Sequence, residues 1–265
     1  MNPAQRVTSR DNPLLVRVRR LAQDPGAYRR LSAVWLEGEH LCEALRARGR
    51  PAAQALIAES AWSDEPRLRE LAGWAERVAV LDDALFKGFS ALESPARIGF
   101  VLDLPPALEI DPHAATVVLD RLQDAGNVGS ILRSAAAFGF TQVLAIKGTA
   151  ALWSPKVLRA GMGAHFALRL VEGLDEVALD RLVVPLIATS SHAGAPLHDA
   201  PLPVPCAWLL GHEGQGVSTA LAARCALQVR IPQPGGEESL NVAAAAAICF
   251  YESARQRISE LAPAT

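Results

Sequence analysis

The stretch that most limits how this chain can fold is Leu227 to Glu252, LQVRIPQPGGEESLNVAAAAAICFYE. Gln228-Val229-Arg230-Ile231 alternates polar and apolar residues, the period of a half-buried strand. Pro232, Pro234, Gly235 and Gly236 then exclude regular structure. Ser239 and Asn241 stand where a helix must begin, and both residue types cap helix N-termini. Behind them run five alanines, Ala243 to Ala247. Alanine has the highest helix propensity and buries little surface. A helix with so thin a face lets another backbone approach very closely. A capped helix packed in an ordinary core would satisfy the same residues, so the rest of the chain must decide.

A length of 265 residues allows one large or two ordinary domains. Half of the residues are apolar, enough for a sizeable core and too many for a disordered chain. No apolar run reaches the length of a membrane span, and the first residues, MNPAQRVTSRDN, hold no apolar signal region. The expectation is a cytoplasmic protein. Cys42, Cys206, Cys225 and Cys249 form no CxxC pair and sit among apolar neighbours, which suits reduced, buried thiols. The histidines are scattered, and no zinc-ligand spacing occurs. Net charge is −2, but residues 1–50 hold ten arginines against five acidic residues. A basic leader on an acidic body points to a polyanionic partner. Solvation of exposed helix faces is the plainer use of the same arginines.

The first hundred residues alternate helix and strand signals, the mark of a small α/β domain. Leu14 to Leu21 has helical apolar spacing, and Arg17 and Arg20 share one face of that helix. Strands are expected at Ala33–Leu36, Ala55–Ala58, Val78–Leu81 and Ile98–Leu104, with helices at His40–Arg48 and Pro66–Trp74. Asp82 reads as an N-cap. No catalytic constellation is present, so binding is the expected role, with the arginine-rich start, Arg10, Arg17 and Arg20 included, as one contact surface. Three prolines between Leu104 and Pro112 mark a linker. The expected division is 1–104, a linker at 105–112, and 113–265.

In the second part, Val117-Val118-Leu119 reads as a strand buried on both faces, followed by a glycine-containing loop and a helix from Ser130 to Phe138. Asn127 is the expected cap. Arg133 lies among Ile131, Leu132 and Ala135, where an arginine needs a partner. The GxGxxG pattern of a dinucleotide site is absent, so a nucleotide-dependent oxidoreductase stays an alternative without its glycine fingerprint. Further strands are expected at Val143–Ile146, Leu186–Ala188 and Ala207–Leu210, and Ser154-Pro155 opens a helix. The last of these strands runs into Gly211-His212-Glu213-Gly214-Gln215-Gly216-Val217. Three glycines at the C-terminal end of a parallel strand mark a loop that approaches a ligand.

Three segments now stand in order: NVGSILR (127–133), GHEGQGV (211–217) and IPQPGGEESLNVA (231–243). Together they resemble the three signature motifs of the SpoU/TrmH family, within the SPOUT class of RNA methyltransferases. SRDNP (9–13) and WLEGEHLCEAL (35–45) resemble that family's N-terminal substrate-binding domain. The resemblance therefore spans nearly the whole chain. It implies methylation of a ribose 2′-hydroxyl in structured RNA, with S-adenosyl-L-methionine as donor. It also implies a C-terminal parallel-sheet domain tied into a deep trefoil knot, beside a small N-terminal α/β domain like ribosomal protein L30e. Knots are nearly absent among folds, and sequence rules alone do not propose one.

The resemblance carries site residues with it. The cofactor is expected in the knot, held largely by main-chain groups at Leu210, Gly211, Ile231, Ser239 and Leu240. The functional polar residues match Asn127, Arg133, Glu213, Ser239 and Asn241. Arg133 acts either as a base or as a guanidinium that anchors a phosphate and steadies the developing alkoxide. Glu213 either accepts backbone N–H groups or pairs with Arg133. A homodimer through the C-terminal domain is implied, with no metal and no membrane. Ribosomal RNA and guanosine are the expected substrate. The alternatives are a tRNA 2′-O-methyltransferase, or a non-catalytic RNA-binding or ribosome-assembly protein on the same fold.

Overall fold

The computed structural model describes residues 4–90, 96–190, 194–235 and 239–261, with side chains through residue 258. Gly236 of the proline-rich loop lies outside the described residues. The chain divides into two compact units. One comprises Met1–Pro106 together with Trp153–Phe166, the other Ala107–Leu152 together with Ala167–Thr265. No single cut in the sequence produces that division.

The first unit opens with β1 (Gln5–Val7), α1 (Pro13–Gln23) and α2 (Ala27–Leu31). It continues through β2 (Ala33–Glu37), α3 (Glu39–Ala47), β3 (Gln54–Ala58), α4 (Glu59–Asp64) and α5 (Pro66–Ala72). The last elements of its sheet region are β4 (Val78–Leu81), α6 (Asp83–Lys87) and β5 (Ile98–Asp103). The sheet order is β1-β4-β3-β5-β2, and β5 runs antiparallel to both neighbours. Every residue of β3 and β4 is buried, as in a sheet covered on both faces. Caps set the helix starts: Asn12 accepts from Leu14 N at 2.9 Å, and Asp82 from Ala84 N at 2.8 Å. Gly99 in β5 is a packing choice. A Cβ there would lie 2.3 Å from the Trp35 ring, which itself packs on Phe86 and Phe89.

The second unit is built on β6 (Thr116–Leu119), α7 (Ala125–Ala137), β7 (Gln142–Ile146) and β8 (Arg169–Leu174). Between β7 and β8 the chain forms α8 (Pro155–Gly161), capped by Ser154, in the segment that groups with the first unit. Then come β9 (Leu186–Thr189), β10 (Ala195–Pro196), β11 (Ala207–Leu210), α9 (Thr219–Ala222), β12 (Leu227–Arg230) and α10 (Val242–Leu261). All seven strands are parallel, in the order β10-β12-β9-β11-β6-β7-β8. The central strands β6, β7 and β11 are buried at every position, which explains the apolar runs 117–119, 143–146 and 207–210.

Helix α10 packs on α7. Its inner face holds Ala246, Cys249 and Phe250, all fully buried. Phe250 meets Phe140 at 4.7 Å between ring centres, and Ser253 accepts the Trp208 indole N–H at 2.9 Å. The helix is thereby fixed to β11, the strand that delivers Leu210. Burial pushes the Cys206 thiol up to about 11 and that of Cys249 up to about 12, so both stay neutral.

Two expectations about α7 need correction. The helix starts at Ala125 rather than Ser130, and its cap is Asp124, whose carboxylate accepts from Asn127 N at 2.7 Å. Asn127 is therefore in the first turn. Arg133 is exposed, although its sequence neighbours Ile131 and Leu132 are fully buried. The helical period turns those two to the core and Arg133 to solvent.

Candidate active site

Parallel sheets of this kind collect their ligand loops at the carboxyl ends of the strands. Here the segments after β6, β11 and β12 and the start of α10 supply the polar residues. A cavity of about 880 Å³ lies among the last three, within the range of about 300–1,000 Å³ usual for small-ligand sites. Leu210, Gly211, Ile231, Ser239 and Leu240, the five residues expected to hold a cofactor, all line it. Glu213 and Asn241 line it too.

The loop after β11 folds back tightly on itself. Gly216 N donates to His212 O at 2.8 Å, closing a small hairpin with Gly216 at φ 66°. Gly211 must be glycine for this closure: a Cβ there would stand 2.1 Å from Gly216 C and from Val217 N. Glu213 then reaches across to the segment after β6. Its carboxylate accepts from Gln123 N at 3.3 Å, Asp124 N at 3.1 Å and Asn127 Nδ2 at 3.3 Å. Partial burial opposes ionisation of Glu213. A hydrogen bond from its own backbone N–H, together with these three, outweighs it and holds the carboxyl below its ordinary value. Of the two roles expected for Glu213, the geometry therefore has the carboxylate accepting backbone N–H groups.

The hydrogen-bonded chain continues. Asn127 Oδ1 accepts from Asn241 Nδ2 at 3.0 Å. Asn241 Oδ1 in turn accepts from Ala243 N at 2.9 Å and Ala244 N at 3.2 Å, capping α10. Residues from all three signature segments are thus joined side chain to side chain. Two expected residues stand apart. Ser239 lines the cavity but makes no hydrogen bond with the described residues, and the Arg133 side chain makes neither a hydrogen bond nor an ion pair with them. Of the expected RNA contacts in the first unit, Arg10 and Arg20 are exposed. Arg17 is bonded to Asp103 at 3.3 Å and to Leu31 O at 3.4 Å.

Sequence reading missed Asp120. It is fully buried, with Oδ1 and Oδ2 bonded to Arg121 Nε at 2.8 Å and Nη2 at 3.2 Å. Oδ2 also accepts from Ser218 N at 2.9 Å, and Asp120 N donates to Leu210 O at 2.8 Å. One residue therefore grips the 211–217 loop at both ends. Arg121 completes the pair at φ 59°, a left-handed conformation that costs a non-glycine residue about 1–3 kcal/mol. The only local signal was an acid placed directly after a fully apolar strand.

Beyond Ile231, Gln233 lines the same cavity. Its amide Oε1 is buried and has no hydrogen-bond partner among the described residues. An orphaned amide, a glycine cradle with no room for a side chain and an apolar wall from Leu210, Ile231 and Leu240 fit a ligand that carries both apolar and polar edges. Among the described residues no group of three or more His, Cys, Asp or Glu is placed to hold a metal, and no helix is long and apolar enough to cross a membrane.

Fold and site together define an α/β protein with a parallel sheet and a ligand cavity at its strand ends. The model of the SpoU rRNA methylase family matches residues 114–251. The 23S rRNA (guanosine(2553)-2′-O)-methyltransferase RlmP of Bacillus subtilis is 32% identical over 220 residues, which covers 82% of this chain and 86% of that protein. The crystal structure of an RNA 2′-O ribose methyltransferase superposes with a TM-score of 0.78 at 30% identity, over 96% of this chain and 100% of that one. The SpoU methyltransferase AviRb from Streptomyces viridochromogenes, in complex with AdoMet, gives 0.84 at 25% identity, over 94% and 99%. This chain belongs to the SpoU rRNA methylase family.

Proposed function

We propose that this protein methylates a ribose 2′-hydroxyl of structured RNA, using S-adenosyl-L-methionine as donor, and that its substrate is a guanosine of large-subunit ribosomal RNA. One observation carries the reading. The eight other expected catalytic and cofactor positions line one cavity or join the hydrogen-bonded chain at its edge, and Arg133 lies on the helix that supplies Asn127. RlmP, named for a guanosine of 23S rRNA, supports the choice of RNA and of base. The cytoplasm is the proposed place of work.

S-adenosyl-L-methionine, when bound, supplies a methyl group on a positively charged sulfur. Leu210, Gly211, Ile231 and Leu240 hold the donor by main-chain groups and apolar contact. Asp120 and Glu213 keep the 211–217 loop in place, so the cradle is formed before the ligand arrives. Arg133 binds RNA. A guanidinium keeps its proton at neutral pH, so Arg133 is a poor base. Its exposed fork, uncommitted within the described residues, suits a phosphate and the oxygen that gains charge as its proton leaves. Ser239 and Asn241 orient that phosphate or the fork.

The subunit interface is proposed on α10. Ile248, Tyr251 and Ile258 are 41%, 56% and 65% exposed, at the three- and seven-residue steps of a helical seam. Tyr251 on this seam meets Phe138 at the end of α7, so a second copy laid on it lies beside that helix. A trefoil knot is proposed for the segment 207–261. The sheet order supports it, since β12 inserts between β10 and β9, both earlier in sequence. The first unit is proposed as an L30e-like RNA-binding domain, with Arg10, Arg17 and Arg20 as contacts.

The test is transfer of labelled methyl to ribosomal RNA, followed by 2′-O-methyl mapping at single-nucleotide resolution. One modified guanosine is the expected result. A protein that binds S-adenosyl-homocysteine yet labels no RNA, free or in ribosomal particles, overturns the enzymatic reading.

A further inference from the structure

We propose that the side chain of Gln233 reads the adenine base of the methyl donor, accepting from the exocyclic amine through Oε1 and donating to a neighbouring ring nitrogen through Nε2. The inference rests on the functional reading above and deepens it. Pro232 and Pro234 have no N–H, so within residues 231–234 only Ile231 and Gln233 can donate from the main chain. An adenine edge places a donor beside an acceptor, and a carboxamide supplies the complement of both in one plane.

The geometry agrees with this use. Gln233 lines the cavity two residues from Ile231. Its Oε1 is buried without a donor among the described residues, a state that buried amide oxygens rarely occupy. The terminal torsion of a glutamine is broad and soft, so the carboxamide turns toward the cavity at little cost. A base amine then ends the deficit. The flanking prolines fix the backbone on either side, which narrows where the side chain can point. Glutamine paired with adenine through two hydrogen bonds is the same recognition used in nucleic-acid grooves.

The experiment is calorimetric binding of S-adenosyl-homocysteine and of its 6-deamino analogue, in which hydrogen replaces the amine and the adjacent ring nitrogen stays an acceptor. The wild type is expected to prefer the adenosyl compound by roughly tenfold or more. Gln233→Leu keeps the bulk and should cut that preference at least about fivefold. Gln233→Glu keeps an acceptor for the amine but offers no donor to the ring nitrogen, and should weaken both compounds while keeping the preference. Melting temperatures matching the wild type show that both variants are folded. If Gln233→Leu keeps the wild-type ratio to within about twofold while still binding the adenosyl compound, Gln233 does not read the base. If the wild type binds neither compound, the functional reading falls and this inference with it.

Discussion

Two loops line the cavity, and they are built in opposite ways. The loop after β11 is tied at every point that matters. Asp120 holds both of its ends, Glu213 fastens its middle to Gln123, Asp124 and Asn127, and Gly211 leaves no space between its two arms. The segment after β12 is the reverse. Among the described residues Gln233 Oε1 finds no donor and Ser239 makes no hydrogen bond, until Asn241 starts α10. One wall is finished before a ligand arrives and the other keeps polar groups in reserve. A site that must hold one molecule firmly and admit a second benefits from both.

If that contrast is right, the largest effect on stability belongs to the finished wall. Asp120→Ala leaves the Arg121 guanidinium and Ser218 N–H without their acceptor, at a cost of about 3 kcal/mol. The melting temperature should fall by roughly 6–12 °C, read by calorimetry. Next comes the uncommitted Arg133. Arg133→Ala should lower kcat by about 10²–10³-fold, with S-adenosyl-homocysteine affinity and melting temperature unchanged. If Arg133→Lys keeps near-full turnover and normal RNA binding, the fork geometry is irrelevant and the phosphate role is wrong.

Asn241 joins the two walls, and its effect should be smaller. Asn241→Ala removes the α10 cap and the link to Asn127, destabilising the fold by about 1 kcal/mol in urea titration. The mildest effect concerns pH. Glu213 titrates below its ordinary value of 4.5, so its contribution is complete above that value and is lost as pH falls through the lowered one. Across that acid range the wild type should lose stability faster than Glu213→Gln. Parallel urea curves for the two proteins would show instead that the carboxylate does not fasten the loop.

What could be read from the sequence follows the same division. Runs such as Val117-Val118-Leu119 and Ala207–Leu210 are legible because strands buried on both faces must be apolar throughout. Asp82 and Ser154 are legible as caps because the residues they serve lie two and three positions away. β8 was missed: it is an edge strand with Glu172 and Gly173 in its run, and edges tolerate such residues. The start of α7 was misplaced because Gly126 and Gly129 read as breakers, while the true cap, Asp124, lies three residues before Asn127. Asp120 could not be found locally, since its partner Ser218 is 98 residues away. The ordered motifs located the cavity, and only coordinates reveal which of its residues are already spoken for.

The Asn241 side chain caps α10 while gripping Asn127 on α7, and Ser253 further along the same helix holds Trp208. Docking of the carboxy-terminal helix and completion of the pocket are consequently one event. A protease that clips the backbone ahead of Val242 should abolish ligand uptake in the same stroke, and a saturating ligand should slow that cleavage.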